Sequence, residues 1–185
     1  MIRAFIAIEI PGDLRDALAS TVSELEKLHI DARFSRPESI HLTLKFLGDI
    51  EESRIGETEN ALRQLLEDRT AFSIRVGGLG AFPYLANPRV VWVGVDGGTA
   101  LQELQHDVEV GLSKLGFPPE KRAFTAHLTL ARVKSRRNVA ALIHYVESAE
   151  SGDLGEFEAR QLHLYQSILR PEGAQYSKLV SLDLG

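Results

Sequence analysis

The heptapeptide Ile40-His41-Leu42-Thr43-Leu44-Lys45-Phe46 returns as Ala126-His127-Leu128-Thr129-Leu130-Ala131-Arg132, its histidine displaced by 86 residues (127 − 41). No other stretch is repeated so closely, and its pattern limits the fold more than any other feature. In an extended strand successive side chains point to opposite faces. His41 and Thr43 then share one face, while Ile40, Leu42, Leu44 and Phe46 share the other. The second copy opposes His127 and Thr129 to Leu128 and Leu130. Each copy reads as a strand with an apolar side for a core and an imidazole beside a hydroxyl on its reverse. Threonine is seven of the 185 residues, so a histidine has threonine two positions on by chance about 4% of the time. Two such sites with identical leucines between and after are two halves of one site.

The same displacement organises the rest of the chain. Arg3 to Ile8 reads as a buried strand stopped by Pro11-Gly12, and a helix follows with Asp13 as its cap and Leu14, Leu18, Val22, Leu25 and Leu28 as its apolar stripe. After the first His-x-Thr strand, Ser53 caps a second helix with Ile55, Leu62, Leu65 and Leu66 inward. Phe72 to Leu79 reads as a strand, and the Gly- and Pro-rich segment from Gly77 to Pro88 as a hinge between halves. The pattern restarts at Arg89 to Val95, with Trp92 among valines and read as core. Thr99 and Gln102 form a capping-box signature for a helix carrying Leu101, Leu104, Val108, Leu112 and Leu115, which Gly116 ends in a left-handed turn. Asn138 caps a fourth helix. Strands from Phe157 to Ile168 and from Tyr176 to Leu184, joined by Pro171-Glu172-Gly173, close the chain. Strand, helix, His-x-Thr strand, helix and strand thus occur twice, and the cap at Asp13 maps onto the cap at Thr99. Two lobes are expected, approximately 1–80 and 88–170, with the C-terminal strands free to cross between them. A pseudo-two-fold axis would then bring His41 and His127 to face each other.

Composition narrows the chemistry. The chain is 44% hydrophobic and 25% charged, enough for a real core, and its lack of cysteine excludes disulfides, thiolate metal sites and a cysteine nucleophile. The apolar run before Glu9 and Asp13 is too short for a signal peptide or a membrane span, so a cytoplasmic setting and no membrane partner are expected. A net charge of −5 argues against a surface that coats nucleic acid, though Arg132, Lys134, Arg136 and Arg137 form a local cationic run.

Two imidazoles near neutral pH divide acid and base work, and flanking hydroxyls bind an anionic oxygen without adding charge. That set suits in-line displacement at phosphorus, where one group takes a proton on the attacking side and the other delivers one to the leaving oxygen. No carboxylate cluster lies beside these histidines to hold a metal, and no cofactor is expected. His29, His106, His144 and His163 lack a motif and read as ordinary polar residues.

Together with Phe46-Leu47-Gly48, Phe82-Pro83, Arg89-Val90-Val91-Trp92, Arg132 and the terminal Leu169-Arg170-Pro171-Glu172-Gly173-Ala174-Gln175-Tyr176, the tetrads resemble the 2H phosphoesterase superfamily, in particular its RNA 2′,3′-cyclic phosphodiesterase branch, long named 2′-5′ RNA ligase. The resemblance covers essentially the whole chain. It implies a bilobal, internally duplicated α+β (LigT-like) fold, two mixed or antiparallel sheets flanking a central cleft with helices outside. It implies hydrolysis of a 2′,3′-cyclic phosphate at an RNA end to a 2′-phosphate, with His41 as proton donor, His127 as proton acceptor, and Thr43 and Thr129 on the non-bridging oxygens. A basic residue at the position of Arg132 contacts phosphate in this family, although strict alternation places Arg132 opposite His127 unless the strand bulges.

Lys45, which alternation puts on the face of His41, and the aromatic Phe82 and Tyr84 are further candidate substrate contacts. The expected partners are RNA ends with a 2′,3′-cyclic phosphate, small cyclic nucleotides, and ATP or another nucleotide, bound by a monomer. Two readings compete with hydrolysis: 2′-5′ ligation through the same site, and a nucleotide-binding module without catalysis. Two proton-transfer groups argue against the second, since binding alone needs neither.

Overall fold

The computed structural model describes residues 1–149, 152–170 and 173–185. The elements run β1 (Ile2–Glu9), α1 (Gly12–Lys27), β2 (Ala32–Phe34), β3 (His41–Ile50), α2 (Ile55–Leu66), β4 (Phe72–Phe82), β5 (Val90–Asp96), α3 (Gly98–Ser113), β6 (His127–Val133), α4 (Val139–Ser148), β7 (Asp153–Ala159), β8 (Gln161–Arg170) and β9 (Gly173–Asp183). The strands make two antiparallel sheets, β3-β1-β8-β9 and β2-β6-β5-β4-β7, so the fold is α+β. The turn expected at Pro171-Glu172 lies outside the described residues.

The 86-residue displacement survives in three dimensions. α1 and α3 begin at Gly12 and Gly98, and β3 and β6 begin at His41 and His127. The stripes Leu14, Leu18, Val22, Leu25 and Leu101, Leu104, Val108, Leu112 are buried as their helical spacing requires. Each such side chain contributes roughly 1.5–3 kcal/mol of burial. The caps differ from expectation. Asp13 and Thr99 lie inside the first turns, because Pro11 and Gly97 occupy the capping positions and neither helix has a side-chain cap. Ser53 sits in a short 3₁₀ turn ahead of α2, and Asn138 precedes α4 but donates to the Leu28 and His29 carbonyls at the end of α1.

The two repeats do not separate at residues 80–88. β4 and β5 form one antiparallel hairpin in the second sheet, so the presumed hinge is a hairpin connection. The run read as a single strand from Phe157 breaks at Arg160, sending β7 to the second sheet and β8 to the first. Matching the repeats pairs β1 with β5, β3 with β6 and β4 with β8. The third strand of each repeat has thus crossed into the other repeat's sheet. The helices follow suit: α1 packs on β6 and β7, while α3 packs on β3. The strands β3 and β6 lie against each other where the sheets meet.

Candidate active site

Both His-x-Thr strands carry the same irregularity at the same place. The register of β1 on β3 slips between Ile6 and Ala7, leaving Leu44 as an extra residue, and that of β5 on β6 slips between Val91 and Trp92, leaving Leu130 extra. A bulge inverts the alternation beyond it. Leu44 and Lys45 are therefore both buried, as are Leu130 and Ala131, and the residue five positions after each histidine returns to the face of that histidine. Lys45 is thus corrected from a substrate contact to a buried lysine, 3% exposed, with its ammonium 2.7 Å from Glu109 on α3 and 2.9 Å from the Pro118 carbonyl. Phe46, expected in the core, is 64% exposed. Arg132, its counterpart, joins the face of His127 and Thr129.

The imidazoles are held alike. His41 Nδ1 is 2.8 Å from the Ser39 carbonyl and His127 Nδ1 is 2.7 Å from the Thr125 carbonyl, partners again 86 residues apart. A carbonyl oxygen only accepts, so Nδ1 carries the hydrogen in both rings and Nε2 is left for proton exchange. Thr43 and Thr129 lie on the same faces, opposite Ala7 and Trp92, and neither hydroxyl is hydrogen-bonded among the described residues.

The surroundings of the two rings differ. His41 stacks on Phe5 with centroids 4.6 Å apart and meets the edge of Tyr176 at 4.8 Å, and Tyr165 stacks on the other side of Phe5. Burial in this aromatic nest lowers the His41 pKa to about 4, against a weaker upward pull from the Ser39 carbonyl. His127 meets Phe82 edge-on at 4.9 Å, with Trp92 behind it at 6.4 Å. Phe82 therefore lies beside the histidine. Tyr84 is 59% exposed and makes no ring contact among the described residues.

Four residues of this surface escaped the sequence reading. Trp92 is on the histidine face, not in the core; strict alternation with buried Val91 and Val93 signals this, but an apolar residue at nearly every position hid it. Phe5 alternates with core-facing Ala4 and Ile6 in the same way. Tyr165 and Tyr176 come from β8 and β9, which only the exchange of strands brings to His41.

Beyond the aromatic nest lies a polar knot. Glu9 sits 2.7 Å from Arg15 and 2.5 Å from Lys178, and burial that would raise its pKa is outweighed by these cations. His163, 1% exposed, binds Ser181 Oγ at 2.9 Å and is held neutral, its pKa lowered to about 4 by burial and by Lys178. Burial and the Glu9 charge push the Tyr165 phenol up to about 12. Among the described residues no three His, Asp or Glu side chains converge as a metal ligand set, and no helix is long and apolar enough to cross a membrane. Lys134, Arg136 and Arg137 are exposed between β6 and α4.

With this geometry in hand, a family model described as the 2′-5′ RNA ligase superfamily matches residues 14–168. The chain belongs to this superfamily. A curated relative from Methanothermobacter thermautotrophicus, named RNA 2′,3′-cyclic phosphodiesterase, is 33% identical over 178 residues, 96% of each chain. One of the same name from Aeropyrum pernix is 38% identical over 167 residues, 90% of each chain. Among solved structures, a Thermus thermophilus protein superposes with a TM-score of 0.82 at 24% identity, covering 99% of this chain and 98% of that one. Escherichia coli LigT complexed with 3′-AMP gives 0.78 at 20% identity, with 99% and 98% covered. The fold of this superfamily member is that of the LigT group, and both of its sheets are wholly antiparallel.

Proposed function

We propose that this protein is a metal-independent RNA 2′,3′-cyclic phosphodiesterase that opens a terminal 2′,3′-cyclic phosphate to a 2′-phosphate. The observation that carries the reading is the matched pair of Nδ1–H bonds to Ser39 and Thr125, which frees the same nitrogen on both histidines for proton transfer. The names of the relatives support the substrate class. In the reaction His127 Nε2 takes a proton from water as the water oxygen bonds to phosphorus. The bond from phosphorus to O3′ breaks, and His41 Nε2 gives its proton to O3′. Thr43, Thr129 and Arg132 hold the non-bridging oxygens.

His41 is neutral in the empty site, so its proton must arrive with the substrate: the phosphodiester anion supplies the counter-charge that burial withholds. The test is turnover of a cyclic-phosphate oligoribonucleotide in EDTA with identification of the product. Loss of activity in both His41→Ala and His127→Ala supports the reading. Full activity in either, or a 3′-phosphate product, overturns it. The family description favours one second reading, 2′-5′ joining of RNA ends by the reverse path. Water at bulk concentration drives hydrolysis, so ligation is expected to be the minor direction.

A further inference from the structure

The bulges that bring Arg132 to the histidine face place it beside another arginine. Arg33 on β2 is its direct cross-strand partner. Like charges in that relation repel, and a sheet does not favour them without a reason. A third guanidinium comes from the other sheet: Arg3 heads the row that runs across β1, β8 and β9 as Arg3, Ser167 and Tyr176. Burial raises the pKa of the Tyr176 phenol, while Arg132, Arg3 and Arg33, in that order, pull it down. All three charges therefore act on one oxygen, and its ring packs edge-on against His41.

None of the three makes an ion pair or side-chain hydrogen bond among the described residues. Asp49, opposite Arg3 in the β1–β3 register, is not salt-bridged to it. This occurs in a chain with 26 acidic and 21 basic residues, where carboxylates are in excess. An uncompensated cluster of three exposed guanidiniums that joins both sheets is built for an anion from outside. One scissile phosphate has only two non-bridging oxygens, and Thr43, Thr129 and Arg132 already serve them.

We propose that Arg3 and Arg33 form a second phosphate subsite, which takes the phosphodiester on the 5′ side of the terminal nucleotide and so selects RNA ends over mononucleotides. This rests on the proposed activity, because a chain ending in a 2′,3′-cyclic phosphate carries its next anion at that 5′ oxygen. Bidentate guanidinium contacts fix the strand's direction as well as adding attraction.

The test is a cycle between protein and substrate. Three substrates are compared: a dinucleotide with a terminal 2′,3′-cyclic phosphate, the same dinucleotide with an uncharged methylphosphonate linkage, and the mononucleotide. Each is assayed with the unaltered protein and with the Arg3→Gln/Arg33→Gln double variant. The unaltered protein should lose about tenfold or more in kcat/KM when the linkage is neutral. The double variant should lose a similar factor on the natural dinucleotide, be indifferent to the neutral linkage, and turn over the mononucleotide normally. Its log affinity for a longer oligonucleotide should also depend less steeply on log salt, by about 0.7 for the one lost phosphate contact on a single strand. Independent effects of linkage and variant, or an equal loss on the mononucleotide, overturn the subsite. Should the unaltered protein hydrolyse nothing, the proposed activity falls. The same cycle read as binding of the 2′-phosphate-terminated dinucleotides then still decides the subsite, by the same criterion.

Discussion

Binding of a phosphate anion should charge His41, and the size of the effect follows from its surroundings. Packed by Phe5 and Tyr176, the ring has its pKa lowered from 6.5 to about 4. That displacement corresponds to about 3 kcal/mol against the imidazolium. At pH 7 about one molecule in a thousand carries the acid form, compared with about one in four for an ordinary histidine. A phosphate monoanion about 4 Å from Nε2 restores about 4 kcal/mol at an effective dielectric constant near 20. The two terms nearly cancel, so in the complex His41 should titrate near or slightly above its ordinary value. Imidazole chemical shifts from isotope-labelled protein, followed against pH with and without saturating nucleoside 2′-phosphate, measure both values. Tyr176→Ala, which opens one side of the ring to water, should raise the free value without ligand. An ordinary pKa in the free protein, or no upward shift on binding, would refute the role of the substrate in protonating His41.

Three further outcomes are expected. His41 and His163 both have folded pKa values below the unfolded one, so the unfolded chain binds more protons between pH 6.5 and about 4; stability should fall as pH drops through that window, by at most about 3 kcal/mol per histidine, with Glu9 adding loss in the same direction, as seen in denaturant melts. Glu109→Gln leaves the buried Lys45 ammonium without a counter-charge and should cost about 3–5 kcal/mol, whereas Lys45→Met in protein that still folds should keep its kcat/KM, since a loss there would return Lys45 to the substrate. In Gly80→Ala the new methyl group would lie 2.3 Å from the Trp92 ring; stability should drop by about 1–3 kcal/mol, and the emission of Trp92, the chain's single tryptophan, should shift as activity falls, while an unchanged spectrum would mean that the ring does not rest there.

The repeat, the two histidines with their threonines, and the leucine stripes of α1 and α3 were legible because each is a local pattern with its own period. Three things were not local. The bulges after Thr43 and Thr129 depend on which residues of β1 and β5 lie opposite, so the sequence placed Lys45 outward and Phe46 inward, the reverse of what is found. β2 has only three residues and exists through its pairing with β6. The exchange of β4 and β8 depends on partners far apart along the chain, and it carries Tyr165 to His41 from the other repeat. The misplaced caps have a simpler origin: turns containing Pro11-Gly12 and Gly97-Gly98 start the helices two residues early.

Because each sheet borrows its third strand, a lone repeat could not finish one. Two separate copies could do so only by trading strands, as an entwined homodimer whose paired sites would be mirror statements of a single sequence. Fusing them into one polypeptide lifts that restriction: the last position of the heptapeptide is free to be an aromatic ring at Phe46 and a guanidinium at Arg132, which gives a symmetric scaffold a head and a tail for a ligand that has both.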